Sequence, residues 1–182
     1  LFNRHDVTWG LNYRLYHNKI YDGAILSFIP RDRINQLFSG YIRDEITLIP
    51  ERLKLTLGTR LDHNDFTGLE VQPNGRLMWT PNEKNSIWLA ISRAVRTPSR
   101  AENDVLFNYG TQGKPPFLTV LQLNGSPHFN SEKLLAYEAG YRYQLAPQAS
   151  IDIAAFYNDY SQLRDLTFDP RLGSFHAGIP SY

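Results

Sequence analysis

Leu53-Lys54-Leu55-Thr56-Leu57-Gly58-Thr59-Arg60-Leu61-Asp62 decides the fold. Odd positions are apolar except Thr59; even positions are charged, small or hydroxylated. Side chains alternate faces along a strand, so this stretch is a strand with one greasy and one wet face. A helix would need its apolar residues three and four apart, and they are not. The same alternation runs through Val7, Trp9, Leu11, Tyr13 and Leu15 near the start. It returns in Leu135, Tyr137, Ala139, Tyr141 and Tyr143, and in Ile151, Ile153, Ala155 and Tyr157, where Phe156 is out of phase. Leu77 and Trp79 oppose Asn74, Arg76 and Met78 in a further strand. Two strands carry a charge on the greasy side: Asp44 among Phe38, Ile42, Ile46 and Leu48, and Arg93 among Ile87, Leu89, Ile91 and Val95. Either a bulge shifts the register there or these charges sit at a membrane interface.

Composition narrows the classes. The 182 residues hold 19 Lys+Arg and 18 Asp+Glu, a net charge of +1, which lacks the basic excess of a general nucleic-acid binder. There is no Cys, so no disulfide, thiolate metal site or thiol nucleophile exists. No apolar run approaches the roughly 18 residues of a membrane-spanning helix, and mean hydropathy is −0.41. A membrane β-barrel stays open, because alternating strands average to a mildly polar composition. Leu1-Phe2-Asn3-Arg4 is no signal peptide and the only Met is Met78, so the chain reads as a fragment.

Connections alternate in length. Residues 49–52, 81–85 and 145–148 are tight turns with Pro and polar residues. Residues 18–33, 64–72, 97–131 and 161 onward read as longer links. Short turns at one end and long loops at the other suit an outer-membrane barrel, as do Tyr and Trp near strand ends. A soluble β-sandwich or lipocalin-like barrel that binds carbohydrate or lipid is the competing reading.

Several segments, in order, resemble the barrel of a TonB-dependent outer-membrane receptor. They are Phe38-Ser39-Gly40-Tyr41-Ile42-Arg43-Asp44-Glu45, Leu57-Gly58-Thr59-Arg60-Leu61-Asp62-His63 and Asn74-Gly75-Arg76-Leu77-Met78-Trp79-Thr80-Pro81. Ile87 to Ser99, with Arg96-Thr97-Pro98, follows; then Asn130 to Arg142 and Ala155-Phe156-Tyr157-Asn158-Asp159-Tyr160. The resemblance implies an all-β chain: an antiparallel meander of about seven or eight strands, part of a 22-stranded transmembrane β-barrel. Residues 1–182 would form one partial barrel domain, with the plug and the C-terminal strands absent. It also implies a transporter in the bacterial outer membrane, not an enzyme. Such a receptor takes up a ferric siderophore, haem or cobalamin, and its partners are its own plug, TonB and outer-membrane lipid. Haem receptors of this family place a ligand His between the Arg-x-Pro strand and the next conserved segment. Ser99 to Pro127 holds none, which favours a ferric siderophore.

The long 97–131 link carries the ligand-site candidates Arg100, Phe107, Tyr109, Lys114, Phe117 and His128, with Phe129 beside them and Arg96 just before. Aromatics mixed with cations suit a flat, anionic, partly apolar ligand. Arg96 either contacts ligand or pairs with a carboxylate. Arg60, Arg76, Glu138 and Arg142 lie on wet faces and are expected to face the plug or lumen water. His5, His17, His63, His128 and His176 have no metal-ligand spacing. Asp62-His63-Asn64-Asp65 gathers oxygen ligands but lacks the EF-hand pattern, leaving Ca²⁺ or a polar loop start. Gly110-Thr111-Gln112-Gly113-Lys114-Pro115 lacks phosphate-loop spacing, and no Gly-x-Ser-x-Gly occurs. No catalytic residue or cofactor site is expected.

Overall fold

Each alternating segment becomes a strand. A computed structural model describes residues 4–114, 116–169 and 174–178, and their side chains except at 117–119 and beyond 165. In chain order come β1 (His5–Lys19), β2 (Leu26–Phe28), β3 (Asp32–Ile49), β4 (Leu53–Asn64), β5 (Gly68–Asn82) and β6 (Asn85–Arg96). Then follow α1 (Arg100–Asp104), β7 (Val105–Lys114), β8 (Phe117–Asn124), β9 (Glu132–Ala146), β10 (Ala149–Ser161), β11 (Asp165–Asp169) and β12 (Ser174–Gly178). The long strands form a seven-stranded antiparallel meander, β1-β3-β4-β5-β6-β9-β10. A smaller sheet, β11-β12-β8-β7-β2, is built from the long connections.

Register puts the apolar sets of all seven strands on one face. Ile46, Leu55, Leu77, Leu89, Ala139 and Ala155 lie side by side across six of them. That face is uncovered: Leu57 is 48% exposed, Leu89 53% and Ile153 62%. No strand of the smaller sheet packs along it. The buried residues are mostly polar, and Asn35, Ser39, Asp62, Asn64 and Glu70 all belong to the opposite face. Apolar outside and polar inside inverts the arrangement of a water-soluble sheet and is that of a lipid-facing barrel wall.

The two charges on the apolar face need no bulge. Pairing is continuous past Asp44, which accepts a 2.7 Å hydrogen bond from His5 Nδ1. At Arg93 the β5–β6 ladder ends one step away, at Asn74 opposite Ser92. The next residue of β5, Pro73, has no N–H to continue it. Arg93 fills the opening by donating to the Val71 carbonyl, with Glu70 3.7 Å away. Phe156 sits on the polar face, opposite Glu138.

Two expected loops are corrected. The 64–72 link is a three-residue turn at Asp65-Phe66-Thr67. Asn64 Oδ1 accepts the N–H groups of Phe66 and Thr67, each at 2.9 Å, and Gly68 takes φ +73°. The 97–131 link is an ordered unit of α1 and the β7–β8 hairpin. Ser99 and Glu102 start α1 by a capping box, each side chain bonded to the other's backbone N–H. The smaller sheet likewise adds strands beyond the expected seven or eight.

Candidate functional site

The long connections gather at the sheet end opposite the tight turns, and charged groups bind them together. Arg100 of α1 donates to the carbonyls of Asn18 (2.8 Å), Pro30 (2.5 Å) and Arg31 (2.8 Å). Its Nε lies 3.3 Å from Asp104, and its guanidinium stacks 5.5 Å from the Phe28 ring centre. Asp104, nearly buried, also accepts a 2.6 Å bond from Arg33 of β3. Arg33 in turn lies over the Phe66 ring at 4.6 Å.

A second cluster closes the base of the 97–131 unit. Arg96 pairs with Glu102 at 2.8 Å and Glu132 at 3.2 Å. Arg164, from the segment after β10, pairs with the same two carboxylates and lies 5.2 Å over the Phe129 ring. Burial first, and neighbouring Arg96 second, pull the Arg164 pKa below the usual arginine value. Phe129 is 3% exposed, so it anchors this cluster and is not a surface aromatic.

The expected ligand residues thus fall into two groups. Arg96 and Arg100 lie at the base, engaged with carboxylates and carbonyls. Phe107 and Tyr109 project from one side of β7, stacked at 6.5 Å and 20°, and both are exposed. Lys114 is exposed at the hairpin turn and His128 is exposed after β8. Side chains of Phe117 and His176 lie outside the described residues.

The wet-face residues Arg60, Arg76, Glu138 and Arg142 all lie on the face opposite the apolar one. Arg60 Nε donates to Asp62 at 2.9 Å and its Nη2 to Ser39 at 3.3 Å. Arg142 donates to Asp152 at 2.5 Å. Arg76 stacks 4.9 Å from the Trp88 ring, which occupies the space above Gly140. Arg76 and Glu138 flank Ala90 on neighbouring strands. In the Asp62–Asp65 run, Asp62 is engaged by Arg60 and Gln72, Asn64 shapes the turn, and Asp65 accepts the Gln36 N–H. Among the described residues no three His, Asp or Glu side chains converge as a metal-binding group.

Arg33, Glu102, Asp104, Glu132 and Arg164 were not singled out by the sequence reading. One signal was available: Ser99-Arg100-Ala101-Glu102 has capping-box spacing and announces α1.

An open meander with an uncovered apolar wall, a polar inner face and clustered outer connections defines a segment of a transmembrane barrel. Residues 1–176 match the family described as TonB dependent receptor-like, beta-barrel, and the chain belongs to that family. No curated protein sequence matches it. Among solved structures it is similar to the ferric enterobactin receptor PfeA of Pseudomonas aeruginosa, at 21% identity and TM-score 0.76 over 96% of this chain and 28% of that one. The siderophore receptor PirA of Acinetobacter baumannii matches at 14% identity and TM-score 0.71, over 97% of this chain and 30% of that one. PirA of P. aeruginosa matches at 19% and 0.74, over 97% and 34%. The chain thus spans about a third or less of each receptor's length.

Proposed function

We propose that residues 1–182 are part of the barrel of a bacterial outer-membrane receptor that takes up a ferric siderophore, energised by TonB through a plug held against the polar face. The uncovered apolar wall of a chain in this family is the observation that carries the reading. A soluble carbohydrate- or lipid-binding domain would need something packed over Leu57, Leu89 and Ile153, and no strand among the described residues covers them. In this reading Arg60, Arg76, Glu138 and Arg142 face the plug or lumen water. The barrel transports and does no chemistry of its own.

For the ligand, the exposed Phe107–Tyr109 stack, with Lys114 and His128 exposed on the same unit, offers ring faces and positive charge to an aromatic, anionic iron chelate. The similar receptors are receptors for ferric enterobactin and other siderophores, two of the structures holding enterobactin, which supports that class. Arg96 and Arg100, already engaged, position the unit and do not touch ligand.

Replacing residues 109–121 of the full-length receptor by a two-residue Asn-Gly turn takes away Tyr109, Lys114 and Phe117 and leaves Asn108 and Gln122, with their 2.7 Å hydrogen bond, as the pair that closes the hairpin. Ferric enterobactin binding to the inserted variant should weaken at least about tenfold, about 1.4 kcal/mol. Heat-dependent gel mobility should still report a folded barrel. Unchanged binding would remove the hairpin from the site, and a parent receptor that binds no ferric siderophore would overturn the transport reading.

A further inference from the structure

We infer that Arg100 and Asp104 are the positioning pair of the outer hairpin, holding β7–β8 in one fixed orientation against the β1–β3 connection and the end of the barrel wall. Direct strand pairing is too small to do this. The hairpin pairs with the β1–β3 connection through β2, which is three residues long and sets Leu26, Ser27 and Phe28 against Phe107, Leu106 and Val105, with one further backbone bond beside it at Ile25. So short a pairing is marginal in water.

Around that pairing the charged groups form a closed circuit. The side chain of Arg100 is 11% exposed and that of Asp104 5%. Arg100 spans three carbonyls, that of Asn18 near the end of β1 and those of Pro30 and Arg31 just before β3, a task for a planar five-donor fork that a lysine ammonium cannot reproduce. Asp104 carries the load onward to Arg33 of β3, a strand of the wall itself. Backbone bonds follow the same line, from Ile29 N–H to the Asp104 carbonyl at 2.9 Å and from Asn108 N–H to the Ile25 carbonyl at 2.8 Å. Without Arg100, the Asn18, Pro30 and Arg31 carbonyls each lose a donor, and the buried Asp104 loses one of its two cations. The hairpin then loses its fixed orientation relative to the β1–β3 connection. The consequence for ligand capture rests on the hairpin being the ligand site; the clamp does not.

The test uses the full-length receptor, folded in lipid without ligand and free of other cysteines. Spin labels go at Ala24→Cys in the β1–β3 connection and Gln112→Cys in β7, both exposed. The parent should give a single narrow distance peak. Arg100→Ala should lose that peak for a broad distribution, with heat-dependent gel mobility of the barrel unchanged. Arg100→Lys should fail to restore it, since charge alone does not replace the fork. Asp104→Asn keeps the side-chain size and the backbone bonds, and serves if Arg100→Ala does not insert; it too should broaden the peak. A narrow peak retained in Arg100→Ala, or in Asp104→Asn where that variant stands in, overturns the clamp, as does full restoration by Arg100→Lys. Because no ligand is present, that failure leaves the transport reading standing. Absent siderophore binding beside a narrow parent peak would do the reverse.

Discussion

Arginine in place of Leu89 should destabilise the inserted barrel by about 2–4 kcal/mol, whereas arginine at neighbouring Ala90 should cost far less. Leu89 is the middle of the apolar run Ile87, Leu89, Ile91 on β6, with Leu77 and Ala139 at its sides. A guanidinium there must either sit unsolvated in hydrocarbon or drag water into it. Ala90 points to the other face, between Arg76 and Glu138, where a charge meets a partner. Leu57 looks equivalent by alternation, but the register sets it directly opposite Asp44. An arginine at 57 would pair with that carboxylate and understate the lipid cost. Denaturant titrations of the full-length receptor in lipid measure the difference; equal costs at 89 and 90 would mean that the two faces are wrongly assigned.

Replacing Gly140 by Ala should cost about 1–3 kcal/mol by overpacking. A Cβ there would sit 2.2 Å from Trp88 Nε1 and 2.3 Å from Cε2, so the ring must lift off the strand. Lifting it also disturbs the Arg76 guanidinium stacked on it. Gly75→Ala is the control: its Cβ would meet Leu57 Cδ2 at 3.5 Å, an ordinary contact, and should be nearly neutral. The same titrations, followed by Trp emission, separate the two; equal effects would mean that Trp88 does not rest on Gly140.

The wall was legible because a period of two, carried through strand after strand, states which residues share a face. Val7 to Leu15, Leu53 to Leu61 and Ile151 to Tyr157 all face as their alternation requires. Asp44 and Arg93 were legible as exceptions but not as solutions, since their partners His5 and Glu70 lie on other strands. The Asp65–Thr67 turn was hidden by its polar flanks: the Asn64 side chain makes the backbone turn that the pattern reads as an open loop. In residues 97–131, the pairings that order the unit are distant in sequence. Arg33 meets Asp104 and Arg164 meets Glu132, and no local spacing encodes either. The Ser99–Glu102 box and the i,i+4 spacing of Arg100 and Asp104 were local, and they mark where α1 begins without saying what α1 holds.

The chain's three tryptophans test the central claim directly, because they divide between the faces. Trp9 and Trp79 belong to the apolar face and are 67% and 46% exposed, while Trp88 lies on the polar face beneath Arg76. In full-length receptor folded into bilayers of brominated lipid, Trp9→Phe and Trp79→Phe should each remove emission that the lipid quenches. Trp88→Phe should remove emission that the lipid leaves untouched. Quenching lost with Trp88, and retained without Trp9 and Trp79, would contradict an apolar wall facing lipid.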